Sequence, residues 1–163
     1  MTIICWDGKT LAADKRRMHG GTISTGKKIY AFKKYTGEVE LMGVAGDASD
    51  ARELLTWYLD GGSRQTFPHR CRESVEGAFL LVVSREGGQT VVKQFSSGPQ
   101  PCVFEQEQVA LGCADCAAYV AMACGKTAIE TVELVSRFNN GVGNGCDALT
   151  FESEAQPWTK SQS

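Results

Sequence analysis

The chain opens Met1-Thr2-Ile3-Ile4-Cys5-Trp6-Asp7, and its second residue admits two readings. Thr2 is β-branched and suits the start of a strand. It is also, once Met1 is removed, a first residue with a free α-amine and a free hydroxyl, a base beside a latent nucleophile. An unperturbed α-amine titrates at about 7.7–8.0, close to neutrality. A small second residue leaves Met1 accessible to an aminopeptidase. A second motif is Cys113-Ala114-Asp115-Cys116, whose C-x-x-C spacing raises zinc binding and redox chemistry. Zinc needs a second ligand pair, and the two histidines, His19 and His69, lie far apart in sequence. A redox pair needs a strand before it and a helix start after it, which this stretch allows; cysteines so spaced more often serve packing. His19-Gly20-Gly21 reads as a turn and His69 beside Pro68 as loop. Arg16-Arg17 reads as a solvated pair, with contact to substrate or a neighbouring subunit as the sharper alternative.

These residues need a scaffold. At 163 residues the chain suits one domain, expected over residues 1–151, with 152–163 a polar tail docked by Trp158. The 42% hydrophobic and 22% charged content is that of a globular chain with a core. A net charge of −2 without a long basic run argues against nucleic acid. No stretch of about 18 apolar residues suggests a membrane span, and no basic-then-apolar leader suggests secretion. Seven cysteines, Cys5, Cys71, Cys102, Cys113, Cys116, Cys124 and Cys146, then point to free thiols in a reducing, cytoplasmic compartment, most of them packed as small hydrophobes.

Two apolar runs, Ile3–Trp6 and Thr10–Ala13, flank Asp7-Gly8-Lys9 and predict a hairpin. Strands are predicted at 26–32 and 39–45. Leu54, Leu55, Tyr58 and Leu59 then recur at helical spacing from Ser49, with Gly61-Gly62 as the stop. Trp57 and Tyr58 on this helix read as core or subunit contacts. Strands at 78–83 and 90–95 form a second hairpin about Glu86-Gly87-Gly88, and 109–112 is a short apolar piece. One helix is predicted from Asp115 to Cys124. Another begins at Thr127, where Thr127 and Glu130 make a capping box. The last strand is 146–151. The order ββββ-α-ββ-αα-β implies antiparallel sheet with grouped helices, an α+β class.

In this order and spacing four stretches resemble a known family, over roughly residues 2–150. T-I-I-C-W-D-G-K-T-L-A-A-D-K-R-R, G-K-K-I, G-V-A-G-D-A and G-C-A are similar to segments of proteasome β-type subunits and the bacterial HslV peptidase, including small bacterial and phage members. The resemblance implies a four-layer αββα sandwich of two antiparallel sheets, the N-terminal-nucleophile (Ntn) hydrolase type. It implies a threonine peptidase with Thr2 as nucleophile, Asp14 as the acidic partner, Lys28 as the lysine that lowers neighbouring pKa values, and Gly43 as the oxyanion amide. Lys27 points to the other face of a regular strand. No metal or organic cofactor is implied. The expected substrate is a peptide or unfolded protein, and the expected assembly a homo-oligomeric ring or open ring, with an unfoldase partner conceivable.

Three positions depart from the family. Cys113 stands where a Ser is typical, and Asn139 where an Asp is typical before the last strand, with Val142 in place of the Ser that follows. Cys113 is a weak donor and Asn139 carries no charge. The rival reading is therefore a catalytically silent subunit with a structural or assembly role. A third is an amidohydrolase of non-peptide substrates on the same scaffold.

Overall fold

The computed structural model describes residues 1–73 and 77–158. The strands among the described residues are β1 (Ile3–Trp6), β2 (Leu11–Asp14), β3 (Arg16–His19), β4 (Thr22–Thr25), β5 (Ile29–Lys33), β6 (Val39–Gly46), β7 (Ala78–Glu86), β8 (Gln89–Phe95), β9 (Cys102–Phe104), β10 (Val109–Gly112), β11 (Cys146–Leu149) and β12 (Gln156–Pro157). The described helices are α1 (Ala48–Leu59), α2 (His69–Glu73), α3 (Asp115–Ala123) and α4 (Ala128–Ser136). The fold is mixed α+β. One sheet runs β10-β1-β2-β11, a second β12-β5-β6-β7-β8-β9, and β3 pairs only with β4. All pairings are antiparallel except β12 on β5.

Every residue of β1 and β2 is buried, which is why Ile3-Ile4-Cys5-Trp6 is a continuous apolar run and not an alternating one. Side chains leave the two faces of a strand alternately. Ile4, Trp6, Leu11 and Ala13 pack against Ile29, Leu41, Leu81 and Val83 of the second sheet. Ile3, Cys5 and Ala12 face the other way, onto Ala118, Met122, Val132 and Val135 of α3 and α4. The outer face of the second sheet, including Met42, Leu80 and Val82, packs on Ala51, Leu54 and Trp57 of α1.

Local chemistry fixes the turns and helix starts. Gly8 sits at φ +94° between β1 and β2, a conformation glycine adopts without strain. Asp7 Oδ1 accepts from Thr10 N at 2.7 Å and Asp7 Oδ2 from Ala128 N at 2.7 Å, tying the hairpin to the first turn of α4. The capping box forms as expected: Thr127 Oγ1 accepts from Glu130 N at 3.2 Å and Glu130 Oε2 from Thr127 N at 2.9 Å.

Asp47 caps α1, accepting from Ser49 N at 2.9 Å and Asp50 N at 3.1 Å. The Ser49 hydroxyl bond, then the backbone bonds, hold its carboxyl below the ordinary 3.8. A lowered folded value means the stabilisation is complete above the unfolded value, about 3.9, and disappears as the pH falls through the folded one. Asp47→Ala is expected to cost about 1 kcal/mol at pH 7 and to lose that penalty in strong acid, as thermal unfolding at the two pH values will record.

Several expectations are corrected. The strand expected at 26–32 begins at Ile29, because Gly26 N is taken by Lys15 O at 2.8 Å. The hairpin β3–β4 around Gly20-Gly21 and the short edge strand β9 carry almost no burial, so no apolar period announces them. Most cysteines are not in the core: Cys5 and Cys71 are buried, whereas Cys102, Cys113, Cys116 and Cys124 are exposed and Cys146 is half-buried. All seven are free. Past Leu149 the chain returns to the second sheet. Trp158 N donates to Lys33 O at 2.9 Å, and its indole packs edge-on against Phe32. Residues 159–163 lie outside the described residues.

Candidate functional site

Asp14 closes β2 with none of its surface exposed. Its Oδ1 accepts from Ile3 N at 3.0 Å and its Oδ2 from Arg16 N and Gly143 N, both at 3.1 Å. Three backbone N–H groups thus converge on this one carboxylate. Lys28 lies just before β5, 4% exposed, with Nζ 2.7 Å from Asp14 Oδ1. Burial, the largest effect, holds the Lys28 ammonium below its ordinary value. The bond to Asp14 and its charge oppose that drop, while the Arg17 charge adds to it.

Thr2 precedes β1 and is 6% exposed. Its carbonyl accepts from Cys113 N at 2.9 Å. Its hydroxyl donates to Met1 O at 2.7 Å, and Lys28 Nζ donates to that same oxygen at 3.3 Å. Hydroxyl and ammonium thus share one acceptor, within the roughly 6 Å over which a charge shifts its neighbour's pKa. The fold therefore brings together Thr2, Asp14 and Lys28 from one 27-residue stretch of sequence.

Gly43 is differently placed. Val44 N donates to Lys28 O at 2.9 Å, so Val44 spends its amide on the β5 side. Successive amides of a strand point to opposite neighbours. The Gly43 N–H therefore points toward β7, where Leu81 lies opposite, and not toward Thr2. This corrects the expectation that Gly43 is an oxyanion donor. What Gly43 supplies is space: a Cβ there would lie 3.0 Å from Ile4 Cδ1.

The two positions expected to support the site line one cleft of about 440 Å³, between the start of α3 and the end of α4, with Cys116, Leu134 and Phe138. Cys113 reaches the site through its backbone amide on Thr2 O. The Asn139 side chain accepts from Gly141 N at 2.8 Å and so shapes the loop that follows. Gly143 of the loop donates to Asp14 and accepts from Lys15 N at 3.0 Å. Its signal in sequence is Gly141-Val142-Gly143-Asn144-Gly145, where Gly143, Asn144 and Gly145 all take positive φ. Among the described residues no group of three His, Cys, Asp or Glu side chains is placed to hold a metal ion, and no helix is long and apolar enough to cross a membrane.

No family model matches the chain, and no curated protein matches it. Solved structures do. The Anbu complex of Pseudomonas aeruginosa, described as a helical assembly, is 15% identical over 92% of this chain and 80% of its own, with a TM-score of 0.72. Anbu, or ancestral beta-subunit, of Yersinia bercovieri is 14% identical over 96% of this chain and 86% of its own, also at 0.72. Anbu of Hyphomicrobium sp. strain MC1 is 12% identical over 92% and 81%, at 0.68. At such identities the likeness is one of fold. It overturns the resemblance to proteasome β-type subunits and HslV drawn from sequence: these structures are Anbu proteins, and the fold this chain shares with them is theirs.

Proposed function

We propose that the chain is an Anbu-like, proteasome-related subunit acting as a threonine peptidase through Thr2. The observation that carries this is the convergence of the Thr2 hydroxyl and the Lys28 ammonium on Met1 O, with Asp14 behind Lys28. Scission of the Met1–Thr2 bond would leave the Thr2 α-amine beside Lys28. The amine takes the hydroxyl proton as Oγ1 attacks the substrate carbonyl, and that proton passes to the departing amine as the C–N bond breaks. Water then hydrolyses the Thr2 ester. Lys28 favours the anionic oxygen and Asp14 fixes Lys28. The donor to the oxyanion is not assigned to Gly43.

The packing supports a four-layer αββα sandwich of the Ntn-hydrolase type, as one domain over residues 1–151. Free thiols fit a cytoplasmic setting. The helical assembly described for the Pseudomonas protein supports self-association, and peptides or unfolded chains are the substrates proposed.

The silent-subunit reading draws on Cys113, Asn139 and the direction of the Gly43 amide. Intact mass separates the two. With Met1 absent, a peptide epoxyketone, which needs both the hydroxyl and the amine of an N-terminal threonine, is expected to add once to the wild-type chain and not to a folded Thr2→Ala variant. A chain that lacks Met1 and forms no adduct would sink the peptidase reading.

A further inference from the structure

The charge around the site is unbalanced in a way the whole chain is not. The chain has a net charge of −2, yet Arg16 and Arg17 open the β3–β4 hairpin while Lys15, Lys27 and Lys28 lie on the segments that flank it. Asp14 is spent on Lys28 and Asp147 on Lys15. Arg16, Arg17 and Lys27 have no carboxylate partner among the described residues. Lys27 rests instead 5.4 Å from the centre of the Tyr30 ring.

Arg17 is exposed yet held. Its Nη2 donates to Lys27 O, the carbonyl joined to the Lys28 nitrogen. Its side chain lies on the backbone at Gly26, where an added Cβ would stand 2.6 Å from Arg17 Cζ. Glycine at 26 thus admits the guanidinium, and the carbonyl fixes its plane. The remaining N–H donors keep the fork that matches a carboxylate in two-pronged fashion. A long cation held in place, unpaired, next to Lys28 loses little further freedom on meeting an anion.

We propose that this site takes peptides carrying an acidic side chain beside the scissile bond, and that Arg17 is the residue that reads it. The inference rests on the peptidase reading and names its substrate class. Lys27 contributes field and Arg17 contact.

The test compares three peptide epoxyketones that differ only in the residue next to the ketone: Glu, Gln and Leu. Adduct formation is followed by intact mass on chain lacking Met1. The Glu probe is expected to react about fivefold faster than the Gln probe, the size of an exposed ion pair, with the ratio shrinking as salt is raised. Arg17→Gln is expected to bring the ratio to about one, and Arg17→Lys to restore part of it. Because the ratio within one protein is the readout, a general loss of stability does not move it. Equal rates for all three probes on wild type would overturn this inference and leave the peptidase reading standing. A ratio unchanged in Arg17→Gln would overturn the role of Arg17. No adduct with any probe would overturn both readings.

Discussion

Asp14→Ala is expected to lower stability by about 3–5 kcal/mol, the usual cost of breaking one side of a buried ion pair. Two losses combine. Lys28, 4% exposed, is left as a buried ammonium without its counter-ion. The amides of Ile3, Arg16 and Gly143, which now donate to Asp14, are left without an acceptor. For a chain of this length that corresponds to a melting temperature lower by roughly 10 °C or more. Lys28→Met is expected to cost less, because Asp14 keeps three backbone donors. Asp14→Asn falls on the severe side. An Asn side chain can accept from Ile3 N, but its NH₂ then faces the Arg16 and Gly143 amides, donor against donor. All three variants are expected to lose reaction with the epoxyketone. Thermal unfolding in parallel with intact mass ranks them, and an Asp14→Ala protein as stable as wild type would contradict this account of the carboxylate.

That ranking shows what the sequence made legible. Thr2 is legible by residue type at the head of a strand, whereas Asp14 and Lys28 become candidates only through the family resemblance; the frame of buried strands that carries them has a strong apolar signal. The capping box at Thr127 is legible because it consists of adjacent residues. Gly143 is not: its role is to point one amide at a carboxylate 129 positions earlier, and an amide has no side-chain identity to read. The Gly43 expectation fails for a related reason. The side of the sheet its N–H faces is set by the pairing of Val44 with Lys28, and a shift of one residue reverses it. The β3–β4 hairpin is illegible because neither of its faces is buried. The cysteines mislead because thiols are usually inside, whereas Cys113, Cys116 and Cys124 lie in or beside α3 and reach solvent.

Gly112→Ala is expected to damage the fold and the site at once. Gly112 sits at φ +129°, where an alanine is strained by about 1–3 kcal/mol. Its absent side chain is also where the Thr2 backbone runs. A Cβ there would overlap Thr2 O and lie 2.8 Å from Thr2 C. Those atoms cannot swing aside as a flexible side chain would. Thr2 O is bound by Cys113 N, and Ile3 stands opposite Gly112 in the β1–β10 ladder. Displacing packed backbone adds about 1–3 kcal/mol, so the total is roughly 2–6 kcal/mol. The displaced residue is the proposed nucleophile, so the epoxyketone adduct should be lost even at temperatures where the variant stays folded. Gly8→Ala provides the comparison. Gly8 also has positive φ, +94°, but the nearest neighbour of an added Cβ is Glu107 O at 3.9 Å, so only the backbone strain applies and the adduct should form normally. Equal destabilisation of the two variants, or normal labelling of folded Gly112→Ala, would show that contact with Gly112 does not place Thr2.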